Sequence, residues 1–242
     1  MNPEKKKRRI KTRFFLFLGI TALFAVIIGF SKTFILPVGN GSFRAPTIIY
    51  VHGFFAALWI FLFLVQSILI QKNNFNLHKR LGYFGILVAL GVAITIIPVG
   101  VYQVQKDLAN GLGQFAISLL IGSITSAIIF LILFCTAVRF RFNPPAHKRL
   151  MALALIVVLW PAWFRLRHFF PSVPNPEFWF ALVIPDSFFI IAMIWDKMAN
   201  KKIHWAFLYV GPLILIENCL EFIMLDSEPW RVVANFTYHL LK

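Results

Sequence analysis

The chain has 242 residues, 60% of them hydrophobic and only 14% charged, with a formal net charge of +15. A soluble domain is about 45–50% apolar and about 25% charged, and a chain this short cannot bury so large an apolar excess in one core. The composition excludes an ordinary soluble domain and points to a bilayer. No soluble domain is left to present a basic face to nucleic acid, so the charge is read as topology rather than as a nucleic-acid surface.

In chain order, a basic run (Lys5, Lys6, Lys7, Arg8, Arg9, Lys11, Arg13) precedes the first apolar segment, residues 14–30. That segment is longer than a signal-peptide core of about 7–15 residues and lacks an A-x-A site, so it is read as a retained helix. A membrane helix needs about 20 mostly apolar residues. The remaining segments that meet this are 47–70, 81–104, 114–138, 150–170, 178–195 and 205–225. Beyond them, Ser227 suits an N-cap and Pro229 the first turn of a helix over 228–241. Trp230, Val233 and Phe236 recur there at helical spacing, which predicts an interfacial helix. The expected fold is all-α: one membrane domain over residues 1–242, a bundle of about seven transmembrane helices.

Seven crossings separate the basic residues into two sets. Seventeen fall on the side of the N-terminus, including Lys72, Lys79, Arg80, Arg139, Arg141, Lys148, Arg149, Lys197, Lys201 and Lys202. Seven fall on the other: Lys32, Arg44, Lys106, Arg165, Arg167, Arg231 and Lys242. The positive-inside rule makes the first side cytoplasmic and puts the C-terminus outside. The expectation is a multi-pass protein of the cell (inner) membrane. Cys135 and Cys219 fall near opposite leaflets, cannot form a disulfide, and are expected to be small packing residues.

An internal echo follows from the cytoplasmic turns. His78-Lys79-Arg80-Leu81 opens the third helix and His147-Lys148-Arg149-Leu150 the fifth, with Lys201-Lys202-Ile203-His204 a weaker third case. The echo points to three similar hairpins. The need for basic residues where helices start on the cytoplasmic side accounts for the same pattern without a repeat. The sequence also resembles an uncharacterised family of small bacterial multi-pass membrane proteins. The resemblance rests on His52-Gly53, Trp59, Gln66 and His78-Lys79-Arg80-Leu81-Gly82, a membrane His, a later Gln and an H-x-R-x-G helix start. His147 to Met151, Pro161-Ala162 with Arg165, and Asp196 with His204 extend it. It implies a multi-pass fold and no established activity. A more distant resemblance is to b-type diheme membrane cytochromes, which implies haem b with His52 as the residue concerned. The chain departs from that pattern in having no repeated pair of mid-helix histidines.

At a rise of about 1.5 Å per residue, His52, Arg165, Asp186 and Glu217 all fall within roughly 6–12 Å of the outer surface. A charge at membrane depth costs about 2.5–3.5 kcal/mol or more unless it meets a partner or water. These four are therefore expected to line one ligand cavity, with Arg165 contacting Asp186, Glu217 or both and His52 nearby. A purely structural network explains the same residues. Glu217 and Glu221, one turn apart, could bind a cation or share a proton. His78, Arg80, His147, Arg149 and His204 are expected to anchor to anionic lipid headgroups rather than bind metal, because each His lies beside Lys or Arg.

The remaining features read as scaffold. Gly122-x-x-x-Ser126 and Ser123-x-x-x-Ala127 suit close helix contact, and Pro98, Pro161, Pro185 and Pro212 suit kinks. No phosphate-binding Gly loop, Ser-His-Asp order, H-E-x-x-H or C-x-x-C is present, so nothing argues for a hydrolase or a nucleotide-driven enzyme. The first functional reading is small-solute binding, sensing or transport through an outer polar cavity. The alternatives are a haem- or quinone-binding redox component and a non-catalytic accessory subunit.

Overall fold

A computed structural model describes residues 3–242, with side chains from Thr12 onward. The side chains of the basic residues 5–11 lie outside the described residues. Seven helices are long and apolar enough to cross a membrane: α1 (Thr12–Gly39), α2 (Thr47–Gln71), α3 (Phe75–Ala109), α4 (Gln114–Arg139), α5 (Pro144–His168), α6 (Glu177–Asn200) and α7 (Ala206–Met224). An eighth, α8 (Glu228–Leu241), follows the last crossing. Among the described residues every regular element is helical, which pairs the backbone polar groups within each segment where lipid offers no partner. The start of α1 and the α2–α3, α4–α5 and α6–α7 turns share one end, the basic end. The other turns and α8 lie at the far end.

The helices overrun their predicted limits where a cap or a long side chain makes this possible. α3 starts at Phe75, six residues before its apolar run, because the Asn74 side chain accepts a hydrogen bond from Leu77 N (3.2 Å). α5 starts the same way, with Asn143 accepting from Ala146 N (3.4 Å). At the start of each helix the capping Asn precedes the His by four residues, so His78 and His147 stand at equivalent helix positions. The third turn departs from this. There, Asp196 of the preceding helix accepts from the backbone N of His204 (2.8 Å). α1 continues past Phe30 to Gly39 because the Lys32 amine snorkels to the far end and donates to the His168 carbonyl (3.0 Å).

Proline shapes four of the crossings. α5 breaks at Val158–Leu159, just before Pro161. The segments Ser31–Ile35, Glu177–Val183 and Ala206–Val210 are π turns, and each is followed two residues on by Pro37, Pro185 or Pro212. Proline has no N–H for the carbonyl four residues back. The wider turn lets that carbonyl pair with the next residue instead. Pro98, by contrast, sits inside an unbroken α3.

The α5 helix is the centre of the bundle, with Ala152, Leu153, Ala154, Leu155 and Ile156 all buried. It packs against α1, α4, α6 and α7. Large apolar side chains such as Phe61, Leu87, Ile94, Ile132 and Ile223 instead face outward, the pattern of a bundle solvated by lipid. Cys135 and Cys219 are free and also face outward, so the expected packing role is not what they do. The amphipathic α8 buries Ala234 and Tyr238 against the start of α4. Trp230 Nε1 donates to the Ser118 carbonyl (3.0 Å). Ser227 occupies the N-cap position but makes no capping hydrogen bond. Asp226 holds the corner instead, pairing with Arg231 (2.6 Å) and accepting from Ser118 Oγ (2.8 Å). The hydrogen bond from Arg231 holds the Asp226 carboxyl below the usual carboxylate range.

Candidate functional site

The four residues expected to share one cavity fall into two separate polar groups, one acidic and one cationic. The acidic group lies between α4, α6 and α7 toward the far end. Leu213, Glu217, Leu220, Glu221 and Met224 recur at spacings of three and four, so both carboxylates stand on the same face as the apolar residues. That face, Ile121 and Thr125 of α4 and Trp230 of α8 line an open lateral cleft of about 280 Å³. The Thr125 hydroxyl lies 3.1 Å from Glu221 Oε2 and is also within hydrogen-bond reach of Glu217. At Gly122 the Glu221 carboxylate occupies the space that a Cβ would take. The small residue admits a carboxylate rather than a close helix backbone. Ser126, one turn on, accepts from Trp160 Nε1 of α5 (3.0 Å).

Asp186 of α6 sits beside this cleft. It is buried and accepts a hydrogen bond from Asn218 Nδ2 (2.6 Å). Asp186 is within electrostatic range of Glu217, and Glu217 of Glu221. The expected contact of Arg165 with Asp186 or Glu217 is not made. Among the described residues the ion pairs are Arg149–Asp196 and Asp226–Arg231. Depth is readable from the sequence, but the rotation of each helix is not. Asp186 is turned to α7, while Arg165 is turned to α1. We therefore expect Asp186→Asn to leave the thermal midpoint of the detergent-purified protein unchanged or raised. The amide oxygen still accepts from Asn218, and an unpaired charge is removed. A lowered midpoint would mean that Asp186 has a cationic partner.

The cationic group is built by α1, α2, α3 and α5. Beyond the Pro161 break, a 3₁₀ turn over Arg165–His168 ends α5. Arg165 lies over the Phe30 ring (4.1 Å) and donates back to the Pro161 carbonyl (2.9 Å). Arg167 lies over Phe164 (3.7 Å) and donates to its carbonyl (3.1 Å). Lys32, Lys106, Arg165 and Arg167 all act electrostatically on His168. Asp107 and Glu177 are the acids within range of the arginines. His52 of α2 stands within range of Arg165, with Nδ1 2.8 Å from Thr95 Oγ1. Thr95 gives its own proton to the Gly91 carbonyl (2.6 Å), so it accepts from His52 Nδ1–H. The Nε2 of a neutral His52 therefore carries the lone pair.

At the basic end the expected headgroup anchors are largely turned inward. Arg149 is buried and paired with the fully buried Asp196, so it does not reach headgroups. His147 Nδ1 bonds to the Ala137 carbonyl (2.7 Å), and the His78 and His147 rings meet edge-on with centroids 6.4 Å apart. Burial, then the charge of Arg149, pushes the His204 imidazole below its ordinary pKa, which weakens it as a cationic anchor. Arg80 remains exposed. Asn74 and Asn143 bring both histidines inside the first turn, where they face neighbouring helices. Among the described residues no group of three or more His, Cys, Asp or Glu side chains could hold a metal ion.

His52, Trp59 and Gln66, the residues that carry the family resemblance on α2, are spaced by seven and share one face. His52 meets Thr95, Trp59 packs edge-on against Phe130 and Phe134, and Gln66 Nε2 donates to the His78 carbonyl (3.1 Å). Sequence reasoning missed the Arg149–Asp196 lock, Asn218, Thr125 and Lys32. The first had a signal, since a lone Asp in the basic third turn needs a cation, but nothing in the sequence named Arg149. No protein-family model matches the chain, and no curated protein or solved structure matches it either.

Proposed function

We propose that the protein is a multi-pass protein of the cell membrane, N-terminus cytoplasmic, that binds a lipophilic organic cation in the α4–α7 cleft. This would make it a small-solute binding or transport protein. One observation carries the reading: Glu217 and Glu221, both half-buried, line an apolar cleft open to the side, with no cation within ion-pair distance among the described residues. Charge left uncompensated at this depth is costly. A cation with an apolar body offsets that cost and fills the cleft, whose volume is near the lower end of the roughly 300–1,000 Å³ usual for ligand sites. The excess of basic residues at the end opposite the cleft supports the orientation, with the cleft in the outer half. Protons compete for the same carboxylates, so cation binding and proton release are linked.

The test is equilibrium binding of tetraphenylphosphonium to the detergent-purified protein. Saturable binding that weakens as the pH falls is the expected result. Absence of saturable binding, or binding indifferent to pH, would sink the proposal.

A further inference from the structure

The cationic group takes no part in that cleft, and its chemistry is opposite. Arg165 uses a single guanidinium N–H, to the Pro161 carbonyl, and its other N–H groups make no hydrogen bond among the described residues. No carboxylate of those residues lies within 4 Å of it. Phe30 covers one face of the guanidinium, and the rest of the fork has no protein acceptor among the described residues. Lys32, Lys106 and Arg167 add positive charge around the same corner, and Asp107 and Glu177 offset only part of it. A guanidinium fork with surrounding cations matches the paired oxygens of a phosphate.

We propose that Arg165 is the centre of a phosphate-binding site at the far end of the bundle, flanked by His52, Lys32 and Arg167. The fork of Arg165 takes two phosphate oxygens. His52 serves from the side, and its Thr95 bond decides how. Because Nδ1–H is committed to Thr95, only Nε2 can reach a bound oxygen, and it donates only after taking up a proton. Where the bound oxygen carries no proton of its own, binding at this site draws a proton onto His52. The groups acting on that imidazole are Arg165 of α5 and the Thr95 hydroxyl of α3. The phosphate comes from either of two sources, a lipid headgroup or the free anion, and the chemistry of recognition is the same for both.

The experiment uses the full chain in nanodiscs of phosphatidylcholine alone. Inorganic phosphate is titrated calorimetrically in two buffers of different ionisation heat. Retention of added phosphatidylglycerol is read in parallel by native mass spectrometry. Binding of inorganic phosphate assigns a free-anion site, and retention of phosphatidylglycerol alone assigns a headgroup site. Either supports the proposal if Arg165→Gln weakens it at least tenfold and Arg165→Lys, which keeps the charge and loses the fork, falls between. His52→Gln is expected to lower the buffer-dependent proton uptake by the His52 share while retaining weaker binding. Neither ligand bound, or binding unchanged in both Arg165 variants, overturns the site. Proton uptake as large in His52→Gln as in the unsubstituted protein overturns the role of His52. None of these outcomes bears on the α4–α7 cleft, which is tested with a cation.

Discussion

Asp196→Ala is expected to destabilise the protein by about 3–5 kcal/mol, the usual effect of breaking a buried ion pair from one side. Asp196 is fully buried and accepts four donors. Two come from Arg149, one of them at 3.0 Å from Nε; the others are Asn200 Nδ2 (2.6 Å) and the backbone N of His204 (2.8 Å). Arg149 also donates to the Pro145 carbonyl (2.7 Å). One carboxylate thus ties the start of α5, the end of α6 and the turn into α7, where Lys201 takes the left-handed conformation to reverse the chain. Removing it strands a buried guanidinium and two further donors. The cost comes from the stranded groups rather than from the worth of the pair. Asp196→Ala combined with Arg149→Met should therefore recover much of the loss. Thermal midpoints of the single and double variants in detergent check this. A double variant no better than Asp196→Ala would show that the pair is not what the substitution disrupts. The contrast with Asp186 is the sharper test. Both aspartates are buried, but of the two only Asp196 has a cation within ion-pair distance among the described residues.

Glu217→Gln together with Glu221→Gln is expected to abolish tetraphenylphosphonium binding. At a separation of about 5 Å and an effective dielectric of about 20, each carboxylate contributes about 3 kcal/mol to a monovalent cation. Each is therefore worth roughly a hundredfold in affinity. The glutamines keep size, shape and the contact with Thr125, so the loss should appear without a fall in thermal midpoint. Removing two charges from an apolar cleft should, if anything, stabilise the uncomplexed protein. Single variants separate the roles. Glu221 lies against Gly122 and accepts a hydrogen bond from Thr125, so its loss should weaken binding more than the loss of Glu217. Equal affinity in the double variant would show that the cation sits elsewhere.

The long apolar runs, the basic turns and the paired Glu217 and Glu221 were legible because each is local. Length, periodicity and charge are properties of consecutive residues. The predicted edges failed where a side chain reached beyond its own segment. Asn74 and Asn143 drew helix starts outward, and the snorkelling Lys32 let α1 run past its predicted end at Phe30. Rise per residue converts position into depth, which is why His52, Arg165, Asp186 and Glu217 were expected in one band, but it carries no information on rotation.

By itself, then, the sequence determined the membrane class, the seven apolar helices of spanning length, the helix that follows them and which ionisable groups lie in apolar segments. Only the tertiary structure decided who meets whom. A π turn or a break before Pro161, Pro185 and Pro212 resets the rotation of everything beyond it, and no local pattern records by how much. That rotation turned Asp186 to Asn218 and Arg165 to Phe30, splitting the expected cavity into an acidic cleft and a cationic corner. It also buried Arg149 against Asp196, 47 residues away, while Arg80, its counterpart in the echoed H-K-R-L turn, stayed at the surface. Identical motifs took opposite fates because burial depends on which neighbour a helix faces, and that neighbour is chosen by the packing of the whole bundle.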